Sequence, residues 1–170
     1  LMLEKISIII PSWKRSKNVK NILYALSKQN YRKELYEVII VYSGNFLKTG
    51  KNYNINITYL NSIKNSNALK RNLGIKNSKY KNLIFLDDDC IPSKNFLFYY
   101  SRLFSKINEK EILNGSVTYN LKKGNELKYL KLRNQNHFKI SNRENKFKLD
   151  ISFKNIVTMN MALKKPNNQY

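Results

Sequence analysis

Apolar residues in the first half of the chain fall into short runs, and between the runs they recur at helical spacing. That alternation is the signature of βαβ units and a largely parallel sheet. Residues 5–10 read as a buried strand closed by Pro11. Ser16 stands where it can cap a helix running to about residue 29, in which Val19, Ile22, Leu23 and Leu26 occupy i, i+3, i+4 and i+7. A second strand over 37–42 is followed by Ser43, Gly44 and Asn45, which supply turn chemistry. Residues 55–60 alternate as a third, shorter strand. A helix over 67–76 then leads to an apolar strand over 82–86 that runs straight into Asp87, Asp88 and Asp89.

Beyond the aspartates Ser93 can cap a further helix, with Phe96, Leu97, Tyr100, Leu103, Phe104 and Ile107 along one side. Residues 112–119 read as another strand, 120–145 lose regularity and receive no assignment, and 156–163 form the last element before a polar ending. No repeat and no Pro/Gly/Ser linker divides the 170 residues, so one α/β domain is expected. An apolar fraction of 42% with eight Phe and twelve Tyr excludes a disordered basic tail. The single cysteine, Cys90, cannot form an internal disulfide, and no run approaches the roughly 18 apolar residues of a membrane span. A soluble protein of a reducing, cytoplasmic compartment is expected.

The net charge of +21 brings nucleic acid forward as a partner, because lysines that neutralise phosphates give sequence-independent affinity. The distribution works against it. The basic residues are nearly all Lys, are scattered over the whole chain, and keep company with Asn and Ile, the usage an AT-rich genome gives to tolerant surface positions. Guanine readers use Arg forks, and single-strand binders interleave basic residues with stacking aromatics. Nucleic acid is therefore the alternative rather than the leading reading. Peripheral attraction to an anionic membrane needs the lysines on one face, which sequence does not display.

Only four aspartates occur, and three are consecutive. They stand at the carboxyl end of an apolar strand, where open α/β sheets place their ligands. Adjacent carboxylates repel unless a cation or hydrogen-bond donors compensate. Mg²⁺ or Mn²⁺ does so, held by one or two carboxylates and completed by water and substrate phosphates. In extended backbone Asp87 and Asp89 would share one side and Asp88 would turn away, which makes Asp87 and Asp89 the expected metal pair. The plain alternative is a solvated acidic turn. The Asp-x-Asp nucleophile of haloacid dehalogenase-like phosphatases follows the first strand of its domain, whereas here two or more βα units come first.

Taken together, "ISIIIPSWKRS", "YEVIIVYSGN", "NALKRNLGIKNSKYKNLIFLDDDCIP", "ILNGSV" and "TMNMALKK" resemble, in order, the segments of the family 2 inverting glycosyltransferases with the GT-A fold. The helix-to-Asp segment is the specific part, since a lone D-x-D is weak. The resemblance implies a Rossmann-like nucleotide-diphospho-sugar transferase fold, with residues 1–119 as the nucleotide-sugar half and 120–170 as the start of the acceptor half. It implies a nucleotide-sugar donor, UDP favoured, and a glycan or lipid-linked acceptor. Pro11, Ser12 and Trp13 would line the nucleoside pocket; Arg15, Ser43, Arg71, Asp87 and Asp88 would complete donor binding. Asp89, with Asp87, would hold the metal on the diphosphate, and Asn160 would line the acceptor side. A metal and cationic groups suit a departing diphosphate, and a carboxylate base would deprotonate the acceptor hydroxyl.

Each position also has a structural alternative. Trp13 could cover the sheet end, Arg71 could be a solvated helix residue, and Asn160 could close a turn. His137 and Cys90 read as structural or packing residues, and Tyr99 and Tyr100 as core. Two departures from the family stand out. The turn after its second strand usually carries an acid that accepts from the base, whereas here it reads Tyr42, Ser43, Gly44 and Asn45; Ser43 or Asn45 offers an uncharged acceptor. The sequence given also stops before the family's Glu-Asp segment, while Glu144 and Asp150 lie in an irregular lysine-rich stretch. The general base is thus expected beyond Tyr170, in a fragment or truncated form that binds better than it turns over.

Overall fold

The computed structural model describes residues 2–117 and 158–166. Its elements in chain order are β1 (Ile6–Trp13), α1 (Ser16–Ser27), a 3₁₀ turn (Lys33–Leu35), β2 (Tyr36–Ser43), β3 (Asn56–Asn61), α2 (Asn67–Lys76), β4 (Asn82–Leu86), α3 (Phe96–Phe104), β5 (Ile112–Asn114) and β6 (Asn160–Lys164). They build one sheet in the order β3-β2-β1-β4-β6-β5. β1 to β4 run parallel, and β6 enters antiparallel to both β4 and β5. This is the mostly parallel α/β architecture expected from the alternation of runs and helical segments.

Helices cover both faces, which is why β1, β2 and β4 are apolar without a polar phase. On one face Ile6, Ile8 and Ile10 meet Val19, Ile22, Leu23 and Leu26 of α1 and Leu97, Tyr100 and Phe104 of α3. On the other, Ile9, Ile39, Val41, Leu83 and Phe85 pack with Leu73 and Ile75 of α2. α2 lies close to the sheet because Gly74 presents no side chain there: an added Cβ would come within 2.4 Å of Ile9 Cγ2. At the amino end of the sheet the buried Glu37 is satisfied by Ser7 Oγ, at 2.6 Å, and by the Lys79 amide, at 2.6 Å, which stitches the α2–β4 connection to β1 and β2.

Several boundaries differ from the sequence expectation. β1 does not stop at Pro11 but continues to Trp13. β4 pairs with β1 only over Ile6 to Ile9, so past Ile9 that edge of β1 has no strand beside it among the described residues and a proline removes no ladder bond there. Ser16 is not the cap of α1 but its first residue; Arg15 holds the cap position, and Ser16 Oγ accepts from the Leu47 amide at 2.9 Å. α1 ends at Ser27, short of residue 29. α3 begins at Phe96 behind Asn95, not behind Ser93, and Ile107 lies past its end. β5 is Ile112–Asn114, with 115–117 of the strand expected over 112–119 outside it, and β6 is Asn160–Lys164, with 158–159 of the element expected over 156–163 ahead of it; 118–119 and 156–157 lie outside the described residues. His137, Glu144, Asp150 and the whole unassigned stretch 120–145 lie outside the described residues. Among the described residues no helix is long and apolar enough to cross a membrane.

Candidate functional site

Because β1 and β4 are parallel neighbours, the residues that end them arrive together: Ser12 and Trp13 from β1, the three aspartates from β4. Lys14 adopts φ 54°, a left-handed conformation that ends the strand abruptly and sends Arg15 toward β4. The Arg15 guanidinium then lies 3.3 Å from Asp88 Oδ1 and 3.3 Å from Asp89 Oδ2. Ser12 Oγ donates to Asp88 Oδ2 at 2.6 Å. Asp87 turns to the other helix layer, where Arg71 of α2 donates to its Oδ1 at 2.9 Å.

The alternation expected for the aspartates does not hold. Extended backbone ends at Leu86, and the Cys90 amide donates to Asp87 O at 3.0 Å, closing a turn over the acidic residues. Asp88 and Asp89 therefore share a cation while Asp87 pairs elsewhere. Asp88 does not turn away from the site; it is the most buried of the three and lines the cleft with the other two.

Burial dominates the electrostatics. It raises the Asp87 carboxyl above the usual range, with Arg71 pulling down and Asp89 pushing up. It raises Asp88 likewise, opposed by the Ser12 hydrogen bond and by Arg15. Burial together with the three carboxylates drives the Cys90 thiol up to about 12, which fits its packing against the core and leaves it no thiolate at neutral pH.

The cleft at this sheet end has a volume of about 280 Å³. Of the sequence-predicted residues, Pro11, Ser12, Trp13, Arg15, Asp87, Asp88 and Asp89 line it. The Trp13 ring is half exposed beside the Lys14 ammonium, and its Nε1 approaches Gly44, which at φ 71° makes the turn after β2. Arg71 is not a solvated helix residue: its side chain is 15% exposed and paired with Asp87, while its Nε is buried with no hydrogen-bond partner among the described residues. Ser43 is buried at the end of β2 and donates to Asn65 Oδ1 at 3.2 Å. Asn160 sits apart from the cleft lining. Its Oδ1 accepts from Tyr100 at 2.7 Å and its Nδ2 donates to Ser116 O at 3.2 Å, joining α3 and β6 to the segment after β5. Tyr100 is core as expected, and Tyr99 is exposed.

Three residues of the site escaped the sequence reading. Asn65 and Asn67 line the cleft ahead of and at the start of α2. Lys70 lies beneath it, fully buried, donating to Ser12 O and to Asn65 Oδ1, each at 2.8 Å. One signal was present: Lys70 precedes Gly74 by a helical turn, so the face that must pack on β1 carries both.

Among the described residues no group of three or more His, Cys, Asp or Glu is arranged to enclose a metal ion. The donor set does fit a divalent cation held by one carboxylate and completed by water and ligand phosphates. Asp89 would be the carboxylate for it: its side chain is 58% exposed, and among the described residues its partners are the equally open Arg15 and, at 3.9 Å, the Cys90 thiol. Asp88 has both oxygens engaged, and Asp87 has one held by Arg71.

Comparison with known proteins places this cleft in a family. The chain is 33% identical over 100 residues to Glycosyltransferase AglE of Haloferax volcanii, an alignment covering 54% of the chain and 33% of that protein. In structure it is similar to residues 1–349 of S. aureus TarS in complex with UDP (TM-score 0.60, 20% identity, 71% of this chain and 38% of that one). It is also similar to the mannosyltransferase PcManGT of Pyrobaculum calidifontis in complex with GDP-Man and Mn²⁺ (TM-score 0.56, 13% identity, 69% and 36%). The chain thus spans about a third of the length of these relatives. Residues 7–168 match the family described as Glycosyl transferase family 2, nearly the whole sequence and every element that builds the cleft, and the chain belongs to that family.

Proposed function

We propose that this domain binds a nucleotide-sugar donor across the carboxyl ends of β1 and β4, and that it serves an inverting transfer of the sugar to an acceptor hydroxyl. The observation that supports this most directly is the convergence of Ser12, Arg15, Asp88 and Asp89 in one cleft beside an exposed tryptophan. Trp13 offers a face on which a base can lie. Arg15 is a cation whose second partner is an open carboxylate, so it can turn to a diphosphate. Asp89 would hold Mg²⁺ or Mn²⁺, which when bound supplies positive charge to a departing nucleoside diphosphate. Ser12, buried and bonded to Asp88, keeps that carboxylate aimed into the cleft. Asp87, braced by Arg71, would approach the ribose. Asp87, Asp88 and Asp89 are engaged on the donor side, so the base for the acceptor is assigned to a different carboxylate.

UDP is the favoured nucleotide and a glycan or lipid-linked hydroxyl the favoured acceptor class, with the lysine excess available to hold anionic donors or a membrane-bound acceptor. Thermal unfolding with UDP or GDP, with and without Mn²⁺, tests the reading, because a ligand selective for the folded state raises stability by mass action. Stabilisation by a diphosphate that deepens with Mn²⁺ is expected. No shift with either nucleotide, together with an RNA affinity that falls steeply with salt, would replace the reading with nucleic-acid binding.

A further inference from the structure

Lys70 is fully buried, a rare condition for a lysine. Burial lowers its pKa while the neighbouring Asp88 charge works the other way. An apolar side chain on the packing face of α2 would avoid that desolvation cost. The ammonium instead joins two walls of the cleft, the end of β1 through Ser12 O and the segment before α2 through Asn65 Oδ1.

The bond to Asn65 has a chemical consequence. An ammonium only donates, so the carboxamide must turn its oxygen toward Lys70. Ser43 Oγ donates to the same oxygen. Two donors on one oxygen fix the orientation of the amide. Its NH₂ has no protein partner among the described residues, and Asn65 is exposed where it lines the cleft. The turn after β2, Ser43, Gly44 and Asn45, carries no acid. The cleft therefore presents an amide donor on the side where a carboxylate acceptor is lacking.

Building on the donor reading above, we propose that Lys70 is a positioning residue of the cleft: it locks Asn65 with its NH₂ toward the ligand, so that the base of a nucleoside diphosphate is recognised through a ring carbonyl. Calorimetric titration of wild type, Lys70→Met, Asn65→Ala and the double variant with two probes tests this, all with Mn²⁺ present. One probe is whichever of UDP and GDP binds wild type more tightly; the other is inorganic pyrophosphate, which has no base. Each single variant is expected to weaken the nucleotide about tenfold, as loss of one good hydrogen bond does. Pyrophosphate should change less than twofold, and the double variant should be no weaker than either single one, because both remove the same contact.

Equal losses for nucleotide and pyrophosphate, or additive losses in the double variant, would overturn the proposal, since Lys70 would then act as bare charge or through packing. Where Lys70→Met fails to fold, Asn65→Ala at its exposed position decides: a nucleotide affinity indifferent to it overturns the role of Lys70. Wild type that binds neither nucleotide nor pyrophosphate removes the donor reading itself, a distinguishable result.

Discussion

Ser12 and Asp88, 76 positions apart in sequence, share a buried 2.6 Å hydrogen bond that joins the end of β1 to the turn after β4. The bond stabilises a carboxylate whose charge is disfavoured by burial. Such tension between stability and site chemistry is common where ligands bind.

Asp88→Asn separates the two. The amide oxygen still accepts from Ser12, while the buried charge is gone and only a half-exposed ion pair with Arg15 is lost. The variant should unfold within about 1 kcal/mol of wild type at neutral pH, yet bind nucleoside diphosphate poorly. The pH dependence has a definite sign. The folded carboxyl holds its proton to higher pH than the unfolded one, so in metal-free protein its contribution to stability falls as pH rises from about 4, the unfolded value, to the raised folded value. Asp88→Asn should flatten that part of the profile in chemical denaturation from pH 3 to 8. An unchanged slope counts against a strained Asp88.

Asp89→Ala should behave differently. The side chain is open to solvent, and its ion pair among the described residues is with an equally open arginine, worth about 0–1 kcal/mol. Little stability should be lost. The Mn²⁺-dependent part of the diphosphate-induced rise in melting temperature should disappear. A full Mn²⁺ effect in this variant would remove Asp89 from the metal.

The bounds of α2 and β4 were legible in the sequence because strong local signals close them. Ser66 caps α2 by accepting from the Leu69 amide, and β4 is a five-residue strand, apolar from Leu83 to Leu86, set between Lys81 and the acidic run. The acidic cluster was legible as a site because it interrupts a basic chain at a strand end. Its geometry was not, since period-two alternation stops where the strand stops, and the turn that follows sets Asp88 inward. Lys70 was hidden for another reason: a lysine in a helix reads as solvated, and only the long-range approach of β1 buries it.

Asn160→Ala distinguishes an acceptor-side residue from a structural one. Its carboxamide links Tyr100 to Ser116 and is itself nearly buried, so removing it leaves the Tyr100 hydroxyl without its 2.7 Å partner. A cost of about 1–3 kcal/mol is expected, with diphosphate affinity unchanged because the residue does not line the cleft. Loss of diphosphate affinity at unchanged stability would reverse that assignment.

Gly74→Ala tests how tightly α2, which carries Lys70 and Arg71, is held against the sheet. Alanine is the better helix former by about 1 kcal/mol, so a solvated position would gain stability. Here the new Cβ would lie 2.4 Å from Ile9 Cγ2 and 3.2 Å from Ile9 Cγ1. Ile9 is fully buried and stiff at its branched carbon, so it cannot swing clear. Overpacking of this kind costs about 1–3 kcal/mol, and the net effect should be destabilising. Relief comes from α2 moving outward, which draws Lys70 away from Ser12 O and Arg71 away from Asp87, so diphosphate affinity should fall as well. Ile9→Ala opens the space that the methyl needs; the double variant should be more stable than the sum of the two single losses allows. Additive losses, or a Gly74→Ala protein as stable as wild type, would mean that α2 does not depend on this contact for its position.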